Sequence, residues 1–285
     1  MNRLKKLFIS AVAILLSLVC VFGLTACGEK IDKVDISIEM YNFEDEQTKN
    51  YTFKIDLYRH LAPNTVDAMS NYLKDGYYNG AVFYKHVEYR NQIMIGDLMY
   101  DPTKTDVNEG FYLNDKKPNL SGEFKYGGTV GSNLKNQKGS IGLWRTWATQ
   151  DSNYNQGSTG MNTGSATWFI PIYDLTTYDD YFCVFAQYDV NDSDNKQTID
   201  ALNKLFSSGL YYQSYMIYYT GEYGTNGESL VFHCVKKEDF NPNDESIFKA
   251  EENSSEYVCY NAYEIQVPMN SDGEVAAKIT GANVR

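Results

Sequence analysis

Val34, Ile36, Ile38 and Met40 alternate with Asp35, Ser37 and Glu39, and a few residues later Tyr51, Phe53, Ile55 and Leu57 alternate with Thr52, Lys54, Asp56 and Tyr58. A period of two predicts half-buried strands. The charged stretch FEDEQTKN between them predicts a hairpin turn. The period then changes. In APNTVDAMSNYLKDG, Val66, Met69, Tyr72 and Leu73 fall on one helical face, with Pro63 suited to the first turn and Gly76 to the end. DNKQTIDALNKLFSSG repeats the device with Ile199, Leu202, Leu205 and Phe206, an Asp or Asn near 194 as cap, and Gly209 as stop.

Between and around these helices lie further strand-like pieces: GAVFYKHVEY, NQIMIGDL, KGSIGLWR, ATWFIPIYD and YFCVFAQYDV. QDSNYNQGSTGMNTGS reads as a long polar loop of the binding-loop kind. Beyond Gly209 the pattern loosens into a Tyr cluster, a strand-like SLVFHCV and an acidic run, before YVCYNAYEIQVP reads as a last strand. No internal repeat is visible. The order of elements predicts a mostly β domain, a closed antiparallel barrel with two helices.

The N-terminus stands apart. Arg3, Lys5 and Lys6 precede an almost wholly apolar run from Leu7 to Phe22, the make-up of a secretory signal peptide. Leu24-Thr25-Ala26-Cys27 resembles a bacterial lipobox, which implies cleavage after residue 26, a lipid on Cys27 and a short tether over 27–33. The expected location is therefore the outer face of the cell membrane, held by the lipid. Removing residues 1–26 takes away three basic and no acidic side chains and moves the formal net charge from −12 to −15. So acidic a chain argues against nucleic acid as a partner. Cys183, Cys234 and Cys259 remain, an odd number, and Cys234 could pair with Cys259 outside the cell. His60, His86 and His233 have no metal-ligand spacing, DVNDSDNKQTID departs from a calcium loop at its Gly and closing Glu positions, and no phosphate-loop Lys follows the glycine-rich segment. No metal and no cofactor is expected.

Several segments, taken in order, resemble one family. IDLYRHLAPNTVDAMSNYLKDGYYNGAVFYKHV resembles the opening of a cyclophilin, which reads roughly strand, AP-x-TV-x-NF, helix, GYY-x-G-x-x-F-H-R-V. IMIGD, LSGEF, NLKNQKGSIGLW, NTGSATWFI and the segment from Tyr178 to Tyr188 resemble the motifs that follow in that family. The resemblance covers about Val34 to Phe206 plus the strand near Ala262 to Pro268. It implies an eight-stranded closed barrel capped by two helices over residues 34–268, with an insert at about 210–255 and a C-terminal tail at 269–285. The Tyr run of that insert, LYYQSYMIYY, could pack on the barrel or form a contact surface.

The family's activity is peptidyl-prolyl cis/trans isomerisation. Rotation about an X-Pro amide is slow because it destroys amide resonance, and an enzyme speeds it by holding the twisted form better than the planar one. In cyclophilins an Arg donates to the prolyl nitrogen, backbone and amide groups hold the carbonyl, and an apolar pocket grips the ring. Here Lys85 stands at the Arg position, or His86 if the count runs back from Asp97, and neither offers a guanidinium fork. Arg145, beside Trp144 on the strand that would face them, could supply one from the opposite wall. The resemblance carries substrate binding onto Gln92, Met94, Trp144, Thr167, Phe169, Tyr178 and Phe182. The implied function is an isomerase for proline-containing exported polypeptides. The alternative is a catalytically weak or inactive peptide-binding module on the same barrel.

Overall fold

The computed structural model describes residues 30–88, 91–104, 107–124, 134–145, 162–207, 211–222, 231–241, 256–257 and 262–285. The leader, Cys27, most of the polar loop before Thr163 and Cys259 lie outside these residues, and with them the expectations for lipidation and for a Cys234–Cys259 bridge. In chain order the strands are β1 (Ile31–Asn42), β2 (Gln47–Tyr58), β3 (Lys85–His86), β4 (Gln92–Ile95), β5 (Leu98–Tyr100), β6 (Phe111–Leu113) and β7 (Ser140–Leu143). They continue with β8 (Trp168–Pro171), β9 (Val184–Gln187), β10 (Tyr212–Glu222), β11 (Val231–Lys236), β12 (Glu256–Tyr257), β13 (Tyr263–Pro268) and β14 (Ala277–Val284). Two longer helices are α1 (Pro63–Lys74) and α2 (Ser193–Ser207).

The protein is mostly β, and its main sheet is a curled half-barrel of seven strands in the order β14-β1-β2-β9-β7-β8-β4. The alternation in the first two strands does what a period of two requires. Val34 pairs with Ile55 and Ile36 with Phe53, and all four side chains are buried in one core. The segment just before β3 runs between the two edges of this sheet. Val82 bridges Lys278 of β14 on one side, and Tyr84 bridges Met94 of β4 on the other.

Each helix is fastened at its start by a side chain from elsewhere or just before it. At α1 the preceding Ala62 offers no cap, and the buried Glu123 accepts the N–H groups of Asn64 and Thr65 at 3.0 and 2.8 Å instead. At α2 the carboxylate of Asp192 accepts from Asp194 and Asn195. The Asn195 side chain in turn accepts from the Lys54 backbone at 2.7 Å and donates to the Asp189 carbonyl, which pins the helix to β2. Gly76, with φ of 72°, ends α1 in the left-handed conformation that a side chain would resist.

Two expectations are corrected here. Residues 269–285 are not a tail. They hold β14, which pairs with β1 along most of its length, from Val34 opposite Val284 to Met40 opposite Ala277. Its inward positions include the small Ala277, and Thr280 and Asn283 face outward, so the segment carries little apolar signal although Ala276, Ala277 and Ile279 are buried. The strand near 262–268 is not part of the main sheet. It is β13, an inner strand of a second sheet ordered β11-β10-β13-β3, with β12 paired to the far end of β10. The insert thus supplies β10 and β11, which pair onto β13, and the sheet joins the rest through β3, where Lys85 pairs with Gln266 and His86 with Ile265.

Candidate active site

Strand β8 sets Phe169 between Met94 on β4 and Gly142 on β7. The absent side chain at 142 leaves room for the ring, because a β-carbon there would meet Phe169 Cε1 at 2.6 Å. Trp144 follows β7 and is held by its N–H donating to the Thr167 carbonyl at 2.8 Å. The short helical turn Thr176–Tyr178 brings Tyr178 and Phe182 up from below, and Phe182 N–H donates to the Tyr178 carbonyl. The rings form one wall. Trp144 stacks on Phe182 at 5.5 Å, Phe182 on Tyr178 at 4.7 Å, and Phe169 meets Trp144, Tyr178 and Phe182 edge-on at 6.2, 6.2 and 5.5 Å.

The strand formed by residues 81–86 divides its side chains between two environments, as alternation demands. Val82 and Tyr84 lie with Met94, Phe169 and Phe182 in one apolar cluster. His86 continues that face and stacks on Trp144 at 6.0 Å. Phe83 goes to the main core, and Lys85 follows it, its ammonium 4.9 Å from the centre of the Phe206 ring on α2. Lys85 and His86, adjacent in sequence, are therefore separated, and only His86 borders the aromatic wall.

Burial sets the charge of each group. It pushes the Lys85 ammonium down to about 8 and the His86 imidazole down to about 4, so His86 is neutral at physiological pH. Arg145 is 4% exposed. Its guanidinium lies over Phe182 at 5.2 Å and over Phe124 at 4.8 Å, and its Nε donates to the Tyr181 carbonyl at 2.7 Å. Burial lowers its pKa as well, but a guanidinium stays charged. The structure thus brings Arg145 against the ring wall through Phe182.

Of the remaining expected binding residues, Gln92 is 1% exposed on β4, two residues before Met94 and so on its face, and its Oε1 has no hydrogen-bond donor among the described residues. Thr167 donates to the Asp97 carboxylate at 3.3 Å, over Gly96. Burial raises Asp97, and the Thr167 bond works against that.

Sequence reasoning passed over Tyr84 and the second sheet. Tyr84 shares the wall's cluster, and burial keeps its phenol neutral far into the alkaline range. Tyr215, Cys234, Ile265 and Val267 from the second sheet belong to that same cluster, and Tyr263 meets His86 edge-on at 5.9 Å. Phe169 and Met94 are fully buried as a result of this packing from both sides. The period of two through Val82, Tyr84 and His86 was the available signal.

A sequence model described as cyclophilin type peptidyl-prolyl cis-trans isomerase/CLD matches residues 43–217. The match ends inside β10, so most of the second sheet lies beyond it. Among solved structures, a Cryptosporidium parvum cyclophilin type peptidyl-prolyl cis-trans isomerase, determined in the presence of the dipeptide Ala-Pro, is 14% identical. That alignment covers 70% of this chain and 95% of the other, with a TM-score of 0.36. A second structure of the Cryptosporidium parvum protein is 16% identical over 71% of this chain and 94% of its own, with a TM-score of 0.33. No curated protein matches the chain.

Proposed function

The chain belongs to the cyclophilin-type peptidyl-prolyl cis-trans isomerase family, and from that membership we propose that it isomerises X-Pro bonds in exported polypeptides, with Arg145 as the donor to the twisted amide. The observation that carries the assignment to Arg145 is its guanidinium 5.2 Å above Phe182, a ring of the wall that would hold the proline. As the amide twists, the prolyl nitrogen regains a lone pair, and a fixed cationic donor favours that form over the planar one. No bond is made or broken and no proton is transferred. Trp144 and Tyr178, the half-buried rings of the wall, would grip the ring with the buried Phe169 and Phe182 behind them, and the neutral His86 would face the peptide backbone. Lys85, turned to Phe206, is given no role.

The sheet edges support a finer reading of the fold. Residues 81–84 bridge both β14 and β4, and we read them as the eighth strand of a closed barrel. A lipid on Cys27 would leave Gly28 to Lys30 before β1, three residues that span about 10 Å when extended. The domain would then stand directly on the membrane's outer face, where newly exported chains emerge.

A second reading is a peptide-binding module without turnover. It is favoured by Lys85, which stands at the position of the family's Arg and turns away from the wall to Phe206. Exchange NMR on an X-Pro test peptide, with the chain from Gly28 onward, separates the two. The isomerase reading expects turnover in the unsubstituted protein, a loss of about a hundredfold in Arg145→Ala, and no loss in Lys85→Ala. Equal rates in Arg145→Ala would remove the donor role. Absence of turnover, with peptide-induced shifts at Phe169, would establish the module.

A further inference from the structure

The second sheet does more than pack on the aromatic wall. Where β10 begins, it opens a groove of about 900 Å³ between the β5 end, the β11 end and the turn after β13. A smaller cavity of about 230 Å³ continues it toward β1 and β2, and the two share Tyr100, Pro102, Asn270 and Glu274. None of these residues belongs to the ring wall described above.

Three kinds of group line it. Tyr100, Tyr211 and Tyr212 supply ring faces, with the buried Tyr215 beneath them. Several are held from behind: Tyr211 stacks on Phe43 at 4.0 Å, and Phe111 braces Tyr100 and Tyr215 at 5.0 and 4.8 Å. Hydrogen-bonding side chains come from a turn that is itself fixed. Asn270 Oδ1 accepts from the backbone of Asp272 and Glu274, and Asn270 N–H donates to the Glu274 carbonyl. Charges of both signs balance, with Lys104 and Lys236 against Asp272 and Glu274 in the larger part, and Lys278 paired to Glu39 at 3.0 Å in the smaller.

This lining selects a chemistry. A phosphate or polyanion would meet two carboxylates, and a cationic peptide two ammonium groups, so a strongly charged ligand of either sign is disfavoured. An apolar chain would strand the carboxylates and amides without partners. A pyranose fits both sides. Its axial C–H face packs on a rigid tyrosine ring, and its hydroxyls take up carboxylate and amide groups in their plane. A groove longer than one ring, with several tyrosines along it, fits more than one sugar.

We propose that the groove between β10 and the 269–275 turn binds a neutral oligosaccharide, with Tyr100 and Tyr212 as stacking platforms and Asp272 and Glu274 as hydroxyl acceptors. For a protein at an outer cell surface this would be a second binding function, independent of the isomerase site.

The test is isothermal titration of the chain from Gly28 with cellotetraose and with the tetramer of N-acetylglucosamine, repeated on Tyr212→Ala and Asp272→Ala. Asp272 lies exposed on the turn and, among the described residues, only its backbone N–H is bonded there, so its substitution leaves the fold intact even if Tyr212→Ala disturbs β10. Binding of either sugar, weakened about tenfold or more by Asp272→Ala and by a folded Tyr212→Ala, with X-Pro turnover unchanged, supports the proposal. Heat from neither sugar overturns it. Binding that both substitutions leave unaltered overturns the groove as its place. An unstructured proline-rich peptide that binds the groove and is lost in Asp272→Ala, where the sugars do not bind, would make it a polypeptide site instead.

Discussion

Phe169 and Gly142 sit opposite each other on β8 and β7, and the phenyl ring occupies the space that a side chain at 142 would take. A strand glycine normally weakens its sheet. Here it sets the depth at which the central ring of the wall can lie. Gly142→Ala forces Phe169 outward against Trp144 and Phe182. The expected outcome is a destabilisation of about 1–3 kcal/mol by chemical denaturation, together with loss of peptide-induced shifts at Phe169. A Gly142→Ala protein of unaltered stability would mean that the ring has room to spare.

His86 makes the fold sensitive to acid. Its folded pKa of about 4 lies below the ordinary 6.5, because burial against Trp144, Tyr84 and Tyr263 disfavours the imidazolium. The unfolded chain therefore takes up this proton first. The His86 contribution is constant above the ordinary value and is lost as pH falls from 6.5 toward 4, by at most about 3 kcal/mol. Denaturation midpoints measured over that window should fall less steeply in His86→Phe than in the unsubstituted protein. Parallel slopes would place a partner on the imidazole that keeps it charged.

Lys85 runs the other way from a salt bridge. Its amine is buried over Phe206 and pushed down to about 8 from 10.5, so folding discourages its charge. Between those two values the unfolded chain holds the proton more tightly, and stability rises with pH across that window. Lys85→Met should be neutral or stabilising by about 1 kcal/mol at pH 7, with X-Pro turnover intact. A fall in turnover without a fall in stability would return Lys85 to the catalytic site.

Glu123 is the cap of a helix that lies some sixty residues earlier in the chain. Both carboxylate oxygens serve backbone N–H groups at the start of α1, where Ala62 offers nothing. Glu123→Ala should lower stability by about 1–2 kcal/mol, and Glu123→Gln by less, since it keeps an acceptor. Equal effects of the two substitutions would show that charge rather than bonding is what α1 needs there.

Much of the fold was legible because its determinants are local. The β1–β2 hairpin follows from alternation over two twelve-residue strands, and both helices from spacing and caps. What escaped is non-local. β14 is short of large apolar residues because its inner face meets strands already rich in them, so Ala277 suffices where Val or Ile would announce a strand. The YEIQVP strand was legible as a strand but not as a member of a second sheet, because pairing with β10 and β3 leaves no mark in its own residues. The aromatic wall was legible residue by residue from the family's motifs, at Phe169, Tyr178 and Phe182 and, by replacement, at Trp144. The direction of Lys85 follows from its parity with Phe83, which a match to the family's motif does not carry.

The pairing of β1 with β14 has a consequence in time. The first strand of the domain begins at residue 31 and its partner ends at residue 284, so β1 is made long before the strand that completes its edge. Contacts so far apart in sequence form late and slowly. Until β14 arrives, one edge of β1 stands open, with its N–H and C=O groups offered to any extended segment nearby. A chain of this family is thus, in its own assembly, bound to wait for the strand most distant from its first.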